Sequence, residues 1–295
     1  MNRVSVIGAG TMGNGIAQFF AQTGHQVSLV DVSQDALDNA LKTIEKNLDR
    51  MIKKEKIAED DKSKTLSNIS TDTSVESGAK NAEFVVEAAV EDSNFKLDIF
   101  RDLDKTCADE VILASNTSSI SITQIGSVTN RPDKVIGMHF MNPVPVMQLV
   151  EVIRGYATSD EVTNQVMTLA KELGKTPVEV NDYPGFAANR ILMPMINEAI
   201  ESLYHGVAGV EEIDTVMKLG MAHPMGPLQF ADFIGVDVCL SILNVMQNGL
   251  GNPKYAPCPL LVNMVTAGHR GVKTGQGFYD YSEGTKNPKI AKQFR

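Results

Sequence analysis

The sequence predicts an α/β domain with a parallel sheet, followed by a second domain that is all helical. Short β-branched runs alternate with helical segments from Val4 to about Val180, the pattern of a parallel sheet with helices on both faces. A glycine-rich turn follows the first run, and beyond Asn181–Gly185 apolar residues recur only at helical spacing. We therefore place two domains, at residues 1–182 and 183–295.

The separate elements follow from periodicity and from the residues that bound them. Thr11–Gln22 is a helix of small residues, and the charged stretch over residues 33–61 repeats leucine and isoleucine at helical spacing. In the second domain, residues 191–203 have the same spacing, and Pro194 is expected to kink that helix. The strand candidates are Val4–Ile7, Val27–Val30, Phe84–Ala88, Val111–Ala114, a hairpin over Val135–Ile153, and Thr176–Val180.

The bulk composition narrows the classes of function. The chain has 295 residues, 43% of them hydrophobic, and a net charge of −9 with no basic arm, which argues against a nucleic-acid partner. Its apolar stretches are too short to span a bilayer, and it enters a strand at Val4 with no signal peptide, so we expect no membrane association and a cytoplasmic location. The three cysteines lack metal-ligand spacing, so we expect reduced thiols and no metal.

The turn after the first strand carries the G-x-G-x-x-G pattern, from Gly8 to Gly13. Gly8 permits the tight turn, Gly10 lets a pyrophosphate approach the backbone, and Gly13 lets helix and strand pack closely. Thr11 and Met12 complete the loop at the helix N-terminus, whose partial positive charge favours phosphates. Strand, glycines and helix in this order predict a Rossmann-type domain that binds a dinucleotide.

Asp31 ends the second strand, about 20 residues after the glycines, as the fingerprint requires. We expect its carboxylate to accept hydrogen bonds from the adenosine ribose hydroxyls. A 2′-phosphate there would meet like charge, and Val32 and Ser33 offer no basic compensation, so the sequence predicts NAD rather than NADP. The alternative is that Asp31 only caps the following helix.

A hairpin candidate brings a histidine and a glutamate together. If the two apolar runs within Val135–Ile153 pair as antiparallel strands about a loop centred near Val144 and Pro145, His139 lies opposite Glu151 on the same sheet face. A histidine beside a carboxylate is an oriented general base. The alternative is a strand-end histidine near an unrelated glutamate.

Seven sequence motifs follow one another along the chain. They are V-I-G-A-G-T-M-G at the N-terminus, F-V-V-E-A-A-V-E-D at 84–92, S-N-T-S-S at 115–119, G-M-H-F-M-N-P-V at 137–144, D-Y-P-G-F-A-A-N-R at 182–190, H-P-M-G-P at 223–227 and K-T-G-Q-G-F-Y-D-Y at 273–281. With these motifs the sequence resembles the 3-hydroxyacyl-CoA dehydrogenase family, and above all its bacterial members. The resemblance covers essentially the whole chain, so it implies a Rossmann domain with a helical-hairpin insertion, followed by the helical domain.

The resemblance implies catalytic roles for His139, Glu151, Ser118 and Asn189. His139 becomes the general acid and base for a 3-hydroxyl, and Glu151 fixes its tautomer. Ser118 follows a strand, where its hydroxyl can hydrogen-bond the reacting oxygen, and Asn189 begins a helix of the second domain that can close over the site. The alternatives are a turn serine and a solvated amide. Asn142 either contacts cofactor and thioester or simply positions the hairpin.

Further cofactor contacts are also implied by the resemblance. The family contacts NAD through residues that match Ala89, Glu91, Lys96 and Asn116, and Lys273 is a further candidate. Glu91 and Lys96 are five residues apart near a helix start, so a simple surface ion pair is the alternative. For Lys273, the alternative is a solvated loop lysine.

Coenzyme A requires a local basic patch on this acidic protein. Lys53, Lys54 and Lys56 cluster in the charged stretch, where related enzymes have a helical hairpin that contacts CoA. The resemblance favours Lys54, with Lys53 second, and Asn47 falls at a polar CoA contact of a relative. The alternative is that these lysines lie on a solvated helix face.

The leading interpretation is a short-chain (S)-3-hydroxyacyl-CoA dehydrogenase, a homodimer by resemblance to the family. A dehydrogenase of free 3-hydroxy acids is a second interpretation, although such enzymes typically use a lysine in place of the His–Glu pair. A non-catalytic protein of the same fold is a third. The methionine-, leucine- and isoleucine-rich helices of the second domain are either a dimer interface or merely that domain's core.

Overall fold

The structure, a computed structural model, describes all 295 residues. It contains two compact units, Met1–Tyr183 and Pro184–Arg295. The division falls one residue after the boundary expected from the sequence. Each unit has its own buried hydrophobic cluster.

Ten strands form two sheets. The strands are β1 (Arg3–Ile7), β2 (Gln26–Val30), β3 (Ile69–Asp72), β4 (Phe84–Glu87), β5 (Ile112–Ser115), β6 (Val135–Phe140), β7 (Leu149–Arg154) and β8 (Thr176–Asn181) in the first unit, with β9 (Tyr279–Asp280) and β10 (Lys289–Ile290) in the second.

Twelve α-helices accompany these strands. They are α1 (Thr11–Gln22), α2 (Gln34–Lys53), α3 (Glu59–Ser67), α4 (Val75–Ala79), α5 (Ser93–Thr106), α6 (Ile122–Gly126) and α7 (Asp160–Glu172) in the first unit, and α8 (Ala188–Tyr204), α9 (Val210–Thr215), α10 (Pro227–Ile234), α11 (Val236–Leu250) and α12 (Pro259–Thr266) in the second.

The first unit is a Rossmann-type domain, as predicted. Its eight strands lie in the order β3-β2-β1-β4-β5-β6-β7-β8. All neighbours pair in parallel except β6 and β7, which form the antiparallel hairpin. The strand order reverses between β1 and β4, and ligands of open α/β sheets bind beyond the carboxyl ends of the strands at such a point.

The edge strand β3 of this unit was not predicted. Ile69–Asp72 is short, polar and only half buried, so it lacks the apolar run that marks a buried strand.

The charged stretch forms the helical hairpin that the resemblance implied. Its two helices are α2 and α3, because α2 ends at Lys53 and Glu55 adopts a φ of 55°, which cannot continue a right-handed helix.

The second unit is helical, as predicted, except for the short β9–β10 pair, which the sequence analysis did not predict. Two buried aspartates tie its segments together. Asp214 accepts hydrogen bonds from the Leu228 amide (2.9 Å) at the start of α10 and from the Tyr279 hydroxyl (2.7 Å). Asp232 accepts from the Phe278 amide (3.0 Å) and the Tyr279 amide (2.9 Å).

No single helix of the chain is long and apolar enough to cross a membrane. Helices α10 and α11 reach such a length and composition only together, and the pair is bent by 94°.

Candidate active site

The glycine-rich turn has the geometry that the sequence predicted. Gly8 has a φ of +104°, and a Cβ there would lie 2.7 Å from the Ala88 carbonyl oxygen at the end of β4. A Cβ on Gly13 would lie 1.8 Å from the Gly8 carbonyl oxygen. Any side chain at either position would therefore displace the turn. Gly10, by contrast, faces open space, with no atom within 4 Å of a Cβ.

This turn fits the pyrophosphate of NAD. The open space at Gly10 lets a phosphate reach the backbone, and no side chain caps the α1 N-terminus, so its first amides are left for an anion. Exposed Thr11 and half-buried Met12 begin the helix. These residues, together with Gly8 and Gly13, would hold the diphosphate.

Asp31 lies at the end of β2, next to this turn. Its Oδ2 accepts a hydrogen bond from the Ala9 amide (2.8 Å) and its Oδ1 accepts one from the Ser33 amide (3.0 Å). The cap of α2 is the Ser33 hydroxyl, which accepts from the Ala36 amide, so the helix-cap alternative for Asp31 is wrong. The half-exposed carboxylate is placed where a ribose hydroxyl can donate to it.

A buried ion pair lies beneath the ends of β4 and β5. Lys96 Nζ is 2.6 Å from Glu87 Oε1 and donates to the Ala89 carbonyl (3.3 Å). The Ala89 amide donates to the same Glu87 oxygen (2.6 Å), and the Ser115 hydroxyl donates to its Oε2 (2.6 Å). Lys96 Nζ also lies 3.4 Å from Glu91 Oε2. The Glu91–Lys96 ion pair therefore exists, but it is not a simple surface pair, because Lys96 is only 1% exposed. Glu87 is a residue that the sequence analysis missed.

Glu91 organises the loop that carries Ser118. Its Oε1 accepts hydrogen bonds from the Thr117 hydroxyl (2.7 Å), the Ser118 amide (2.9 Å) and the Ser119 hydroxyl (2.9 Å), and the Ser118 hydroxyl is 3.3 Å away. Burial raises the pKa of Glu91, but the Lys96 ammonium and these donors outweigh burial, so its pKa is lowered. Glu91 is therefore a fixed carboxylate that holds the Ser118 loop against the start of α5.

The β6–β7 hairpin confirms the predicted pairing of His139 with Glu151. The two residues are register partners, and His139 Nδ1 is 2.9 Å from Glu151 Oε2. His139 is 9% exposed and Glu151 is 2% exposed. In the tautomer that donates Nδ1–H to Glu151, the basic lone pair of the imidazole is on Nε2.

Asn116 connects this hairpin to β5. Its Oδ1 accepts a hydrogen bond from the Phe140 amide (2.9 Å), next to His139. Its own amide donates to the Glu87 carbonyl (2.7 Å). Asn142 is exposed in the hairpin loop and precedes Pro143 through a cis peptide bond. The carboxyl ends of β4, β5 and β6 are thus held in one hydrogen-bonded network.

Two sequence-predicted residues belong to the second unit. Asn189 is the second residue of α8 and is half buried. Lys273 Nζ is 2.5 Å from Asp237 Oδ1, in an ion pair that is 46% exposed on the lysine side. Lys273 is therefore not a freely solvated loop lysine.

The candidate CoA residues lie on the helical hairpin. Lys53, Lys54 and Lys56 are exposed at the end of α2 and in the turn that follows it, and none of them forms an ion pair within the chain. Asn47 is half buried on α2 and donates to Gln18 Oε1 (3.3 Å). The three ammonium groups form an unpaired basic tip on an acidic protein.

Fold and site together define a class of protein: a two-domain dehydrogenase with a Rossmann dinucleotide fold and a histidine–carboxylate pair. The sequence profile of the 3-hydroxyacyl-CoA dehydrogenase NAD binding domain matches residues 3–183, and that of the 3-hydroxyacyl-CoA dehydrogenase C-terminal domain matches residues 185–281. The chain belongs to the 3-hydroxyacyl-CoA dehydrogenase family.

Individual relatives agree with this assignment over nearly their full length. The chain is 55% identical to a Bacillus subtilis protein named probable 3-hydroxybutyryl-CoA dehydrogenase, over 97% of this chain and 99% of that protein. It is 51% identical to a Clostridioides difficile 3-hydroxybutyryl-CoA dehydrogenase, over 95% and 100%. The crystal structure of the Ralstonia eutropha (S)-3-hydroxybutyryl-CoA dehydrogenase PaaH1 aligns with a TM-score of 0.92 at 50% identity, over 96% and 99%.

Proposed function

We propose that this protein catalyses the reversible, NAD-dependent oxidation of (S)-3-hydroxyacyl-CoA to 3-oxoacyl-CoA. The proposed substrates are 3-hydroxybutyryl-CoA and acetoacetyl-CoA, which have a four-carbon acyl group. Relatives that are 50–55% identical to this chain are named 3-hydroxybutyryl-CoA dehydrogenase. The observation that carries the proposal is the buried contact of 2.9 Å between His139 Nδ1 and Glu151 Oε2 at the end of a Rossmann sheet.

The proposed chemistry separates the roles of cofactor and protein. The chemistry that bound NAD supplies is acceptance or return of a hydride at C3 of the acyl group. As C3 is oxidised, Nε2 of His139 takes the proton of the 3-hydroxyl. Glu151 keeps the Nδ1 proton in a hydrogen bond and stabilises the imidazolium without becoming protonated itself. In the reverse direction, protonated His139 returns the proton to the nascent alkoxide.

The remaining site residues position the groups that react. In the proposal, the Ser118 hydroxyl hydrogen-bonds the reacting oxygen, and Glu91 holds its loop. Asn189 keeps the catalytic role that the resemblance gives it, and Asn142 contacts cofactor and thioester. These assignments rest on motif matches and on the hydrogen bonds described above.

The proposed cofactor contacts centre on the glycine turn and on Asp31. Asp31 accepts from the ribose hydroxyls, and Ala89, Asn116 and Lys273 contact the cofactor further along. Lys96 is assigned with them, although its buried ammonium faces Glu87 rather than open space. Its contribution is therefore to fix the Ala89 and Glu91 backbone segment against which the cofactor lies. Glu91 contributes through the same segment.

The proposed CoA contact lies at Lys53 and Lys54, whose exposed and unpaired ammonium groups are free to meet phosphates. Two broader expectations accompany the proposal: a cytoplasmic location, supported by the bacterial relatives, and a homodimer, supported by resemblance to the family. Light scattering of the purified protein tests the second.

The experiment that tests the function is the loss of nicotinamide absorbance when acetoacetyl-CoA is added to the protein with NADH. NADPH and free acetoacetate are run in parallel. Fast oxidation of NADH with the CoA ester alone supports the proposal. Turnover of acetoacetate without CoA would point instead to a dehydrogenase of free 3-hydroxy acids, and cofactor binding with no turnover would point to a non-catalytic protein.

A further inference from the structure

Lys175 is a buried lysine that no part of the proposed chemistry uses. It lies between α7 and β8 and is 7% exposed. Its backbone is anchored on both sides, because the Lys175 amide donates to the Ala170 carbonyl (2.9 Å) and the Thr176 amide donates to the Gln148 carbonyl (2.9 Å). The buried side chain thus starts from a fixed backbone position, directly before β8, the edge strand of the sheet.

The ammonium of Lys175 reaches the loop that joins His139 to Glu151. Nζ donates to the Val144 carbonyl (2.6 Å) and to the Met147 carbonyl (2.7 Å), and it lies 3.8 Å from the centre of the Phe19 ring. Two carbonyls and an aromatic face occupy the directions of its three protons. No carboxylate forms an ion pair with this group, so its charge is stabilised by the loop itself.

Phe19, whose ring faces the Lys175 ammonium, gives a second link to the hairpin. The Phe19 ring packs edge-on against Phe140, the neighbour of His139, at 6.4 Å between ring centres. Val144 is 2% exposed and packs against α1, where a Cβ on Gly15 would lie 3.2 Å from it. Lys175 therefore joins the hairpin loop to the helix that begins at the glycine turn.

Burying an ammonium without a counter-ion is costly, and burial lowers the pKa of Lys175. An apolar side chain of the same length would fill the space without that cost. What only the ammonium supplies is a pair of donors that cross-link the Val144 and Met147 carbonyls. Within the loop itself, the Val146 and Met147 amides both donate to the Pro143 carbonyl (3.0 Å each), so those two hydrogen bonds and the Lys175 clamp define one compact turn.

We propose that Lys175 is a positioning residue for the reaction: its ammonium fixes the 141–148 loop and thereby the relative placement of His139 and Glu151. The inference rests on the proposed function for its kinetic consequence, but its structural consequence is independent of any substrate. Without these two donors the 141–148 loop becomes more mobile, and the imidazole of His139, on the strand that enters the loop, is held less firmly in one direction.

The test compares Lys175→Met with wild type and with Lys171→Met, a matched change at an exposed lysine four residues earlier. For each folded protein, kcat and KM are measured for acetoacetyl-CoA reduction, together with the primary isotope effect from NADH deuterated at the transferred C4 position. Hydrogen exchange of the 141–148 backbone amides is measured in parallel. Because misplacing a catalytic group by about 1 Å costs up to about a hundredfold, we expect kcat of Lys175→Met to fall about tenfold with KM for NADH within about twofold.

We also expect a larger isotope effect on kcat in Lys175→Met, since hydride transfer becomes slower relative to product release, and faster exchange at 141–148. Lys171→Met should match wild type in every measurement. Lys175→Arg keeps a charge and several donors and should recover part of kcat. If Lys175→Met does not fold, the same measurements are made on Phe19→Leu. This substitution removes the aromatic ring that faces the Lys175 ammonium.

The positioning role would be overturned if Lys175→Met kept the wild-type kcat. It would also be overturned if kcat fell while the isotope effect and the hydrogen exchange stayed unchanged, or if the Met and Arg variants had equal kcat. If the wild-type protein turns over no CoA ester, the proposed function fails. The exchange measurement then decides the inference alone: unchanged protection at 141–148 in Lys175→Met contradicts it.

Discussion

Lys96 and Glu87 form an ion pair of 2.6 Å that is closed to solvent, with side chains 1% and 0% exposed. The pair lies where β4 ends and α5 begins, and the Ser115 hydroxyl donates to the second oxygen of Glu87. It therefore sets the position of the loop that leads to Ser118. A buried pair of this kind contributes geometry more than net stability, but it is sensitive to the loss of one partner.

Lys96→Met should destabilise the fold strongly. The substitution leaves the Glu87 carboxylate buried without its cation, which costs about 3–5 kcal/mol of unfolding free energy. The measurement is chemical denaturation. Lys105→Met, at a lysine that is 74% exposed, is the control and should cost below about 1 kcal/mol. A Glu87→Gln, Lys96→Met double variant that is no more stable than Lys96→Met would contradict the account.

Asp31→Ser should weaken the preference for NADH over NADPH. Its carboxylate stands beside the glycine turn and carries the only negative charge at positions 31 to 33. Removing that charge removes the repulsion of a 2′-phosphate, so the ratio of kcat/KM for the two cofactors should fall about tenfold, or about 1.4 kcal/mol. Steady-state rates with both cofactors measure it, and an unchanged ratio would remove Asp31 from the specificity argument.

Lys54→Ala should weaken the binding of acetoacetyl-CoA. At low ionic strength KM should rise about two- to fivefold with little change in kcat, because exposed charge pairs contribute about 1 kcal/mol or less. Added salt should shrink the difference between the variant and wild type, since it screens exposed charges. Lys46→Ala, at another exposed lysine of α2, should leave KM unchanged. Equal KM values for Lys54→Ala and wild type at low salt would place the CoA phosphates elsewhere.

Asp232 should make the second domain less stable as pH rises. Burial raises the pKa of Asp232 from an ordinary 3.8 to about 7. Hydrogen bonds from Tyr279, Phe278 and Tyr281 lower this pKa, but they do not outweigh burial. The folded state thus holds a proton that the unfolded state has released between about pH 4 and 7, so stability from this group is full below pH 4 and is lost as pH rises through 7. The unfolding free energy lost in this way is on the order of 4 kcal/mol.

The measurement is the unfolding free energy at pH 5 and pH 7 for wild type and Asp232→Asn. The variant has no proton to lose, so its curve should be flatter than that of wild type over this interval. Glu198→Gln, at an exposed carboxylate of α8, should leave the slope unchanged. The same slope in wild type and Asp232→Asn would show that Asp232 is already ionised at pH 5.

Periodicity and spacing predicted the parts of the site that depend on local pattern. The glycine turn, the Asp31 position and the His139–Glu151 register all follow from short sequence stretches whose geometry is fixed by strand pairing and turn chemistry. The two-domain plan was predicted for the same reason, because apolar periodicity changes after Asn181.

What the sequence left open depends on long-range contacts. The sequence predicts Glu87 only as part of a buried strand. The structure brings Lys96 and Ser115 to its carboxylate from two other elements. No sequence pattern indicates that Lys175 is buried, because its partners Val144 and Met147 lie about 30 residues earlier in the chain. A buried charge far from its partners in sequence cannot be distinguished by periodicity from a solvated one.

In the proposed reaction, His139, oriented by Glu151, moves the proton of the 3-hydroxyl. This role is tested by kcat for acetoacetyl-CoA reduction by His139→Gln at saturating NADH, with Glu151→Gln measured beside it. Losing the general acid should lower kcat by about 10²–10⁴, and losing the orienting carboxylate should lower kcat by a comparable factor. A folded His139→Gln protein that binds NADH and retains more than about a tenth of wild-type kcat would contradict this role.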